Sequence, residues 1–443
     1  MTGVLLYLLG VVVFLLGVGL SIGLHEIGHL VPAKRFGARV PKYMIGFGPT
    51  IWSTKKGETE YGIKLLPLGG FISISGMFPP KPVRGKASRL EWLRDWVESA
   101  RKQQNDIDGE FDQSRAFYNL AIWKRIIIML GGPVMNLVLG VVILSVAFMG
   151  IGTFQTGTTV EHVQACVPAN YQDANCAPTA TQSPAKAAGF LAGDKVKAFN
   201  GQPVTVWQPI FEYLAKHPSQ PVRFTVERAG KLVNLSVTPA AVERPVIDDL
   251  TGNAVTNPDG SVKLQIRGVL GLGLNSVRAP NDAWFTARYI GMNLGETFRA
   301  VASLPAQVGQ VVMSTFGGQQ RSSTGLVSVV GIGNIAGSVG ESNQLDPLGK
   351  LAIWLMMLGS LNFALFVFNL IPLLPLDGGH VFSAIIEWFK RTAFKLAGKA
   401  DPGPLDTARA VPFTMAMWVV LMGMSLLVIL ADIIKPISPG WLG

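Results

Sequence analysis

Four runs of the chain are apolar throughout and free of Lys, Arg, Asp and Glu: Thr2 to Leu24, Ile126 to Phe154, Leu351 to Leu376 and Ala410 to Leu430. A hydrocarbon layer ~30 Å thick is crossed by about 20 helical residues, so each run predicts a membrane span. Between the runs the pattern changes. Residues 46–77 hold two alternating runs about a Lys-Lys-Gly-Glu turn, which predicts a β-hairpin. Residues 86–104 put Leu90, Leu93, Trp96 and Val97 on one helical face with charges opposite, a pattern that suits a helix on a membrane surface or one packed on the same loop. Residues 221–240 alternate again about a Gly turn. Residues 284–340 are apolar but interrupted by Arg288, Glu296, Arg299 and Arg321; they read as surface-lying helices, with the Gly-rich run 325–337 too short to cross.

Composition agrees with this reading. Hydrophobic residues make up 49% and charged residues only 15%, with a mean hydropathy of +0.36, which excludes a soluble domain of this size. The first run has no basic leader and no small-residue cleavage site, so it is expected to stay in the mature chain. Lys34, Arg35, Arg39 and Lys42 follow span one, and Lys390, Arg391, Lys395 and Lys399 follow span three, which predicts that both segments are cytoplasmic and both termini are outside. Residues 32–125 hold seventeen Lys or Arg against nine Asp or Glu, while residues 155–283 hold eleven against ten. The net charge of +10 therefore belongs to an anionic inner leaflet of the lipid bilayer and not to nucleic acid, which is not expected as a partner. The expected order is span one with its histidines (1–31), a cytoplasmic loop (32–125), span two (126–154), an external α/β domain (155–242), an external linker (243–350), span three with a break (351–388), a cytoplasmic loop (389–409), span four (410–432) and an external tail (433–443). Both cysteines, Cys166 and Cys176, fall in the external region, where a disulfide between them can form.

The end of the first run carries His-Glu-Ile-Gly-His, residues 25–29. On a helix His25 and His29 share a face and can grip one divalent cation, while Glu26 lies close enough to hold a water and take its proton. Titratable side chains adjoining a span are costly and by default functional. A tetrahedral catalytic ion needs one more protein ligand. His162 and His217 are on the wrong side of the membrane, which leaves the stretch Asn369 to His380, with Asp377 as the better candidate and His380 as the runner-up. Pro372 and Pro375 break the helix there, and the freed backbone groups must line a protein cavity.

These residues resemble the site-2 protease family, the intramembrane zinc metalloproteases. The resemblance rests on HEIGH, on Asn369-x-x-Pro372, on Leu376-Asp377-Gly378 and on Gly132-Pro133-x-x-Asn136, in the family's order over most of the chain. It implies one Zn2+ per chain held by His25, His29 and Asp377, Glu26 as catalytic base, and Asn369 as a polar contact near the scissile peptide. It also implies cleavage of single-span membrane proteins within or beside their membrane helix, after an upstream site-1 protease has cut them outside. Anti-sigma factors would be the main substrates and signal-peptide remnants a second class, in a bacterial cytoplasmic membrane with the active site near the cytoplasmic side. Family members carry a membrane-dipping hairpin where residues 46–77 lie; a hairpin edge near Ile72 and Ile74 would take up an unwound substrate by strand addition. Residues 183–204, with Ala-Gly-x-x-x-Gly-Asp... in the form Ala188-Gly189 to Gly193-Asp194 and an Asn200-Gly201 turn, look like the core of a PDZ domain, expected either to bind a peptide or to guard access. The predicted fold class is thus a four-span α-helical membrane protein with a membrane-associated β-hairpin and one external PDZ-like domain. A catalytically silent PDZ scaffold is the rival reading, and Glu26 argues against it; a metal transporter lacks the buried carboxylates of an ion path.

Overall fold

The computed structural model describes residues 2–80, 91–169, 171–172, 182–317, 321 and 325–436. In chain order the elements are α1 (Thr2–Arg35), β1 (Lys42–Lys56), β2 (Thr59–Ser73), α2 (Glu91–Asp108), α3 (Ile122–Ser145), β3 (Thr153–Val163), α4 (Pro184–Ala187), β4 (Lys195–Phe199), β5 (Gln202–Pro203), α5 (Gln208–Lys216), β6 (Val222–Arg228), β7 (Lys231–Val237), β8 (Ala240–Pro245), β9 (Leu264–Val269) and β10 (Leu272–Ala279). The helices α6 (Ala283–Ala302), α7 (Leu304–Phe316), α8 (Val329–Glu341), α9 (Pro347–Asn369), α10 (Asp377–Leu396) and α11 (Val411–Ile434) follow. They form two compact units, residues 1–147 with 290–443, and residues 148–289.

Among the described residues four helices are long and apolar enough to cross a membrane: α1, α3, α9 and α11. The protein is a multi-pass membrane protein. The second apolar run was expected to extend to residue 154, but its helix ends in a π turn over Val146–Ile151; Gly152 takes a positive φ of 84° and Thr153 opens β3. In the third run α9 starts at Pro347, behind the Asp346 carboxylate that accepts from the Gly349 amide, and stops at Asn369. Pro372 and Pro375 have no amide hydrogen to continue it, and helix resumes only at Asp377. The Gly-rich run becomes α8, which packs along the first half of α1, where Tyr7 donates to Asn334 at 3.0 Å. Of the expected amphipathic helix, residues 86–90 lie outside the described residues; the remainder is α2, with Trp96 exposed.

The hairpin is more folded than alternation predicts. Lys42, Tyr43, Met44 and Ile45 pair with Ser73, Ile72, Phe71 and Gly70 on one edge and with Glu60, Tyr61, Gly62 and Ile63 on the other. Gly70–Ser73 is therefore an outer strand, with no strand on its second edge among the described residues. The base of the hairpin is held to α1, because the Tyr43 hydroxyl donates to the Gly23 carbonyl at 2.7 Å. Its far end exposes Phe47, Ile51, Trp52, Ile63, Leu65 and Leu66, an apolar tip suited to lipid.

The second unit is a β-sheet of order β10-β3-β4-β6-β7, with β5 on β4 and a separate β8–β9 hairpin. Alternation in β6 turns Val222, Phe224 and Val226 inward, and α5 covers them with Ile210 and Leu214. Trp207 stacks on Phe224 at 5.9 Å between ring centres. Cys166 is disulfide-bonded; Cys176, its expected partner, lies outside the described residues.

Candidate metal centre

His25, His29 and Asp377 each turn one ligand atom to a common point. His25 Nε2 and His29 Nε2 are 3.3 Å apart, and Asp377 Oδ2 lies 3.5 Å from the first and 3.4 Å from the second. Two neutral imidazoles facing one another by their lone pairs repel, so this arrangement requires a cation or a proton between them. Ligand atoms about 2.0–2.1 Å from a tetrahedral ion stand about 3.3–3.4 Å from one another, which is the spacing found. Asp377 Oδ2 is buried and accepts no hydrogen bond. The donor set, two imidazoles and a carboxylate, is that of a catalytic zinc, and the residues fit the ion.

Local sequence explains the placement. The i, i+4 spacing on α1 stacks the two imidazoles on one face. Asp377 opens α10, at the first helical position after the proline break, so its side chain leaves a helix start instead of a continuous span. His380 does not join the cluster; it lines a small cavity with Arg125, Ser383 and Glu387. Asn369 ends α9, half-buried, and makes no hydrogen bond with its side chain among the described residues.

The backs of both histidines are held by α3. His29 Nδ1 donates to the Ile128 carbonyl at 2.7 Å, which leaves Nε2 as the lone-pair nitrogen. His25 Nδ1 lies 3.0 Å from the Asn136 carboxamide. With His25 Nε2 turned to the cluster, Nδ1 carries the proton. The acceptor Asn136 can offer is Oδ1, otherwise buried without a partner, and a half-turn of the amide satisfies both groups. Helix α3 comes this close because Gly132 has no side chain: a Cβ there would sit 2.2 Å from His29 Nε2. Asn136 stands in the Gly132-Pro133-x-x-Asn136 motif, and its part in the site is visible only in the fold. Its signal was nonetheless available, as the one carboxamide of the apolar run 126–154.

Glu26 is 9% exposed and faces the outer strand of the hairpin. A Cβ at Gly70 would lie 3.2 Å from Glu26 Cγ, and the Ile72 amide lies against the Glu26 carboxylate. Ile72 therefore neighbours the centre through its backbone. Ile74 lies one residue beyond β2 and is buried in a cluster with Leu30, Val40 and Phe117.

A membrane helix that presents two histidines and an adjoining glutamate, completed by a carboxylate from a second helix, defines a membrane metallopeptidase. The chain belongs to peptidase family M50, whose pattern matches residues 13–400, and it is a zinc metalloendopeptidase of the site-2 protease type. It is 31% identical over 442 residues to the zinc metalloprotease Rip1 of Mycobacterium tuberculosis (strain ATCC 25618 / H37Rv), covering 98% of this chain and 99% of that one. The zinc metalloprotease Rip1 of Mycolicibacterium smegmatis is 29% identical, over 97% of this chain and 98% of its own. The metalloprotease MmpA of Caulobacter vibrioides is 28% identical over 88% of this chain and 91% of its own.

Proposed function

We propose that this protein cleaves single-span membrane proteins within or beside their membrane helix, after another protease has removed their external part, with anti-sigma factors as the main substrate class and signal-peptide remnants as a second. The observation that carries the reading is the His25–His29–Asp377 cluster, built between the membrane helix α1 and the start of α10 and flanked by an outer strand.

His25, His29 and Asp377 would hold the zinc, which when bound would supply Lewis-acid chemistry, making a water more acidic and the scissile carbonyl more electrophilic. Glu26, beside the histidines, accepts the proton of the attacking water and returns it to the leaving amine. Its burial keeps bulk water from competing for that proton. A peptide bond inside a helix is shielded by its own hydrogen bonds, so the substrate must be unwound before attack. Gly70–Ser73 has no strand on its outer edge among the described residues, and an extended segment added there would lie against Glu26 and take over the Ile72 amide that Glu26 holds. Asn369 is assigned to a polar contact with that segment, and Ile72 contributes its backbone. An apolar crevice of about 660 Å³ adjoins the turn before Asp377, lined by Leu374, Pro375 and Leu376 and by Met417, Leu421 and Met424 of α11. It suits a hydrocarbon-like helix waiting beside the centre.

The second unit is assigned to the external side, as a PDZ-like domain stapled by Cys166–Cys176, that excludes substrates whose external part is still large. The site then lies near the cytoplasmic face of a bacterial cytoplasmic membrane, with both termini outside. Incubating the purified protein with full-length and externally truncated single-span substrates, with and without a zinc chelator, tests this. Cleavage of the truncated form alone, abolished by chelator, is expected; chelator-insensitive cleavage or none at all would reject it, and equal cleavage of both forms would reject the guard.

A further inference from the structure

Helix α10 carries the third ligand at its first residue, yet it has little to hold it. Its buried residues are Gly378, Gly379, Ala384 and Glu387. Phe382, Ile385, Ile386, Trp388 and Phe389 are all exposed. Glycine and alanine bury little area, and the apolar side chain that packs into the core, Val381 against the cluster of Leu30, Phe117 and Ile128, lies only four residues from the helix start. The two glycines fix only its start: a Cβ on Gly378 would come within 2.5 Å of the Leu370 and Ile371 carbonyls, and one on Gly379 within 2.5 Å of Leu373 and Leu374 backbone. A helix held at one end can still pivot about it, and the carboxylate at that end turns with it.

The second point of attachment is Glu387, about 15 Å further along the axis by the helical rise. Its side chain is 1% exposed and takes both guanidinium nitrogens of Arg125, at 2.6 and 3.0 Å, from the start of α3. Arg391 adds a contact at 3.0 Å and the Leu405 amide donates at 2.9 Å. A forked pair of this kind fixes direction as well as distance. Arg125 stands three residues before Ile128, whose carbonyl holds His29, and seven before Gly132, against which both imidazoles pack. The Arg125–Glu387 pair therefore joins the helix that backs the histidines to the helix that brings the aspartate.

We infer that Glu387, through Arg125, is a positioning residue that sets the aim of Asp377 at the metal. The inference rests on the metal reading above. A merely structural pair would lower stability and leave the folded protein's zinc affinity alone; a positioning pair must change the affinity itself.

The test is the zinc dissociation constant of the full-length, detergent-purified protein by competition with a chelating dye, together with the ligand-field spectrum of the Co2+-loaded form. In Glu387→Gln the affinity of the folded protein is expected to fall about 10-fold, the lower end for residues that orient metal ligands, with an altered Co2+ spectrum, alongside a lowered zinc-free melting temperature because Arg125 keeps its charge without its carboxylate partner. If that variant does not fold, the paired substitution Arg125→Met with Glu387→Met is measured instead, because apolar replacement of a buried ion pair generally preserves stability; it is expected to show the same loss. Affinity and spectrum identical to wild type in a folded variant would overturn the positioning role alone. A wild-type protein that binds no zinc would overturn the metal reading and this inference with it.

Discussion

Asp377 and Asp194 are both carboxylates in buried surroundings, and they are partnered in opposite ways. Asp194, in the second unit, has a side chain with no exposed surface; Arg228 donates to both of its oxygens at 2.7 Å and the Leu191 amide donates at 2.9 Å. Every lone pair it needs to satisfy is satisfied within the fold. Asp377 instead leaves Oδ2 without a donor and aims it at two imidazole nitrogens. The first arrangement is complete as a structural element, while the second is completed by a cation, or by protons on the imidazoles. Satisfaction, more than burial, separates the functional carboxylate from the structural one.

Substitutions should divide along that line. Asp377→Asn removes a charged ligand and is expected to lose both bound zinc and proteolysis, measured as metal content by mass spectrometry and as cleavage of a truncated substrate. Zinc retained at one per chain would erase the distinction. Asn136→Ala removes only the partner of His25 Nδ1, so zinc affinity should weaken about 10–100-fold with the fold intact; an unchanged dissociation constant would take Asn136 out of the site. Asp194→Asn should leave zinc untouched and cost the second unit about 1–3 kcal/mol, the range for lost hydrogen bonds to a buried charged group, read by chemical denaturation.

That last effect has a pH signature. Burial pushes the Asp194 carboxyl up, but the Arg228 hydrogen bonds, the Leu191 amide and the Arg228 charge together hold it below the ordinary value. A folded carboxyl that titrates below its unfolded value of about 3.9 stabilises the fold fully above that pH. The contribution is lost as pH falls through the folded value. The gap in stability between wild type and Asp194→Asn should therefore be widest near neutral pH and close in acid. A pH-independent gap would contradict it.

Much of this was legible in the sequence because membrane spans and metal ligands leave strong local signals. Uncharged runs of span length announced α1, α3, α9 and α11, and His25-Glu26-x-x-His29 stands out against such a background. Two prolines marked the break before Asp377, although not that helix would resume at the ligand itself. What escaped depends on pairings distant in the chain. Arg125 and Glu387 are 262 residues apart, and nothing local distinguishes either from an ordinary interfacial charge. The double pairing of Lys42–Ile45 could not be read from alternation, because a period of two specifies which face a residue takes but not how many neighbours its strand has. Ile74 alternates with Ile72 yet falls past the strand end, where it fills a core.

The central claim is that Glu26 works on a zinc held by His25, His29 and Asp377. It is tested most directly by comparing wild type and Glu26→Gln, purified side by side, for bound zinc and for cleavage of the same truncated single-span substrate. One zinc in each, with cleavage lowered about 10²–10⁴-fold in the variant as expected for loss of a general base, is the predicted result. Cleavage by Glu26→Gln at the wild-type rate would contradict it.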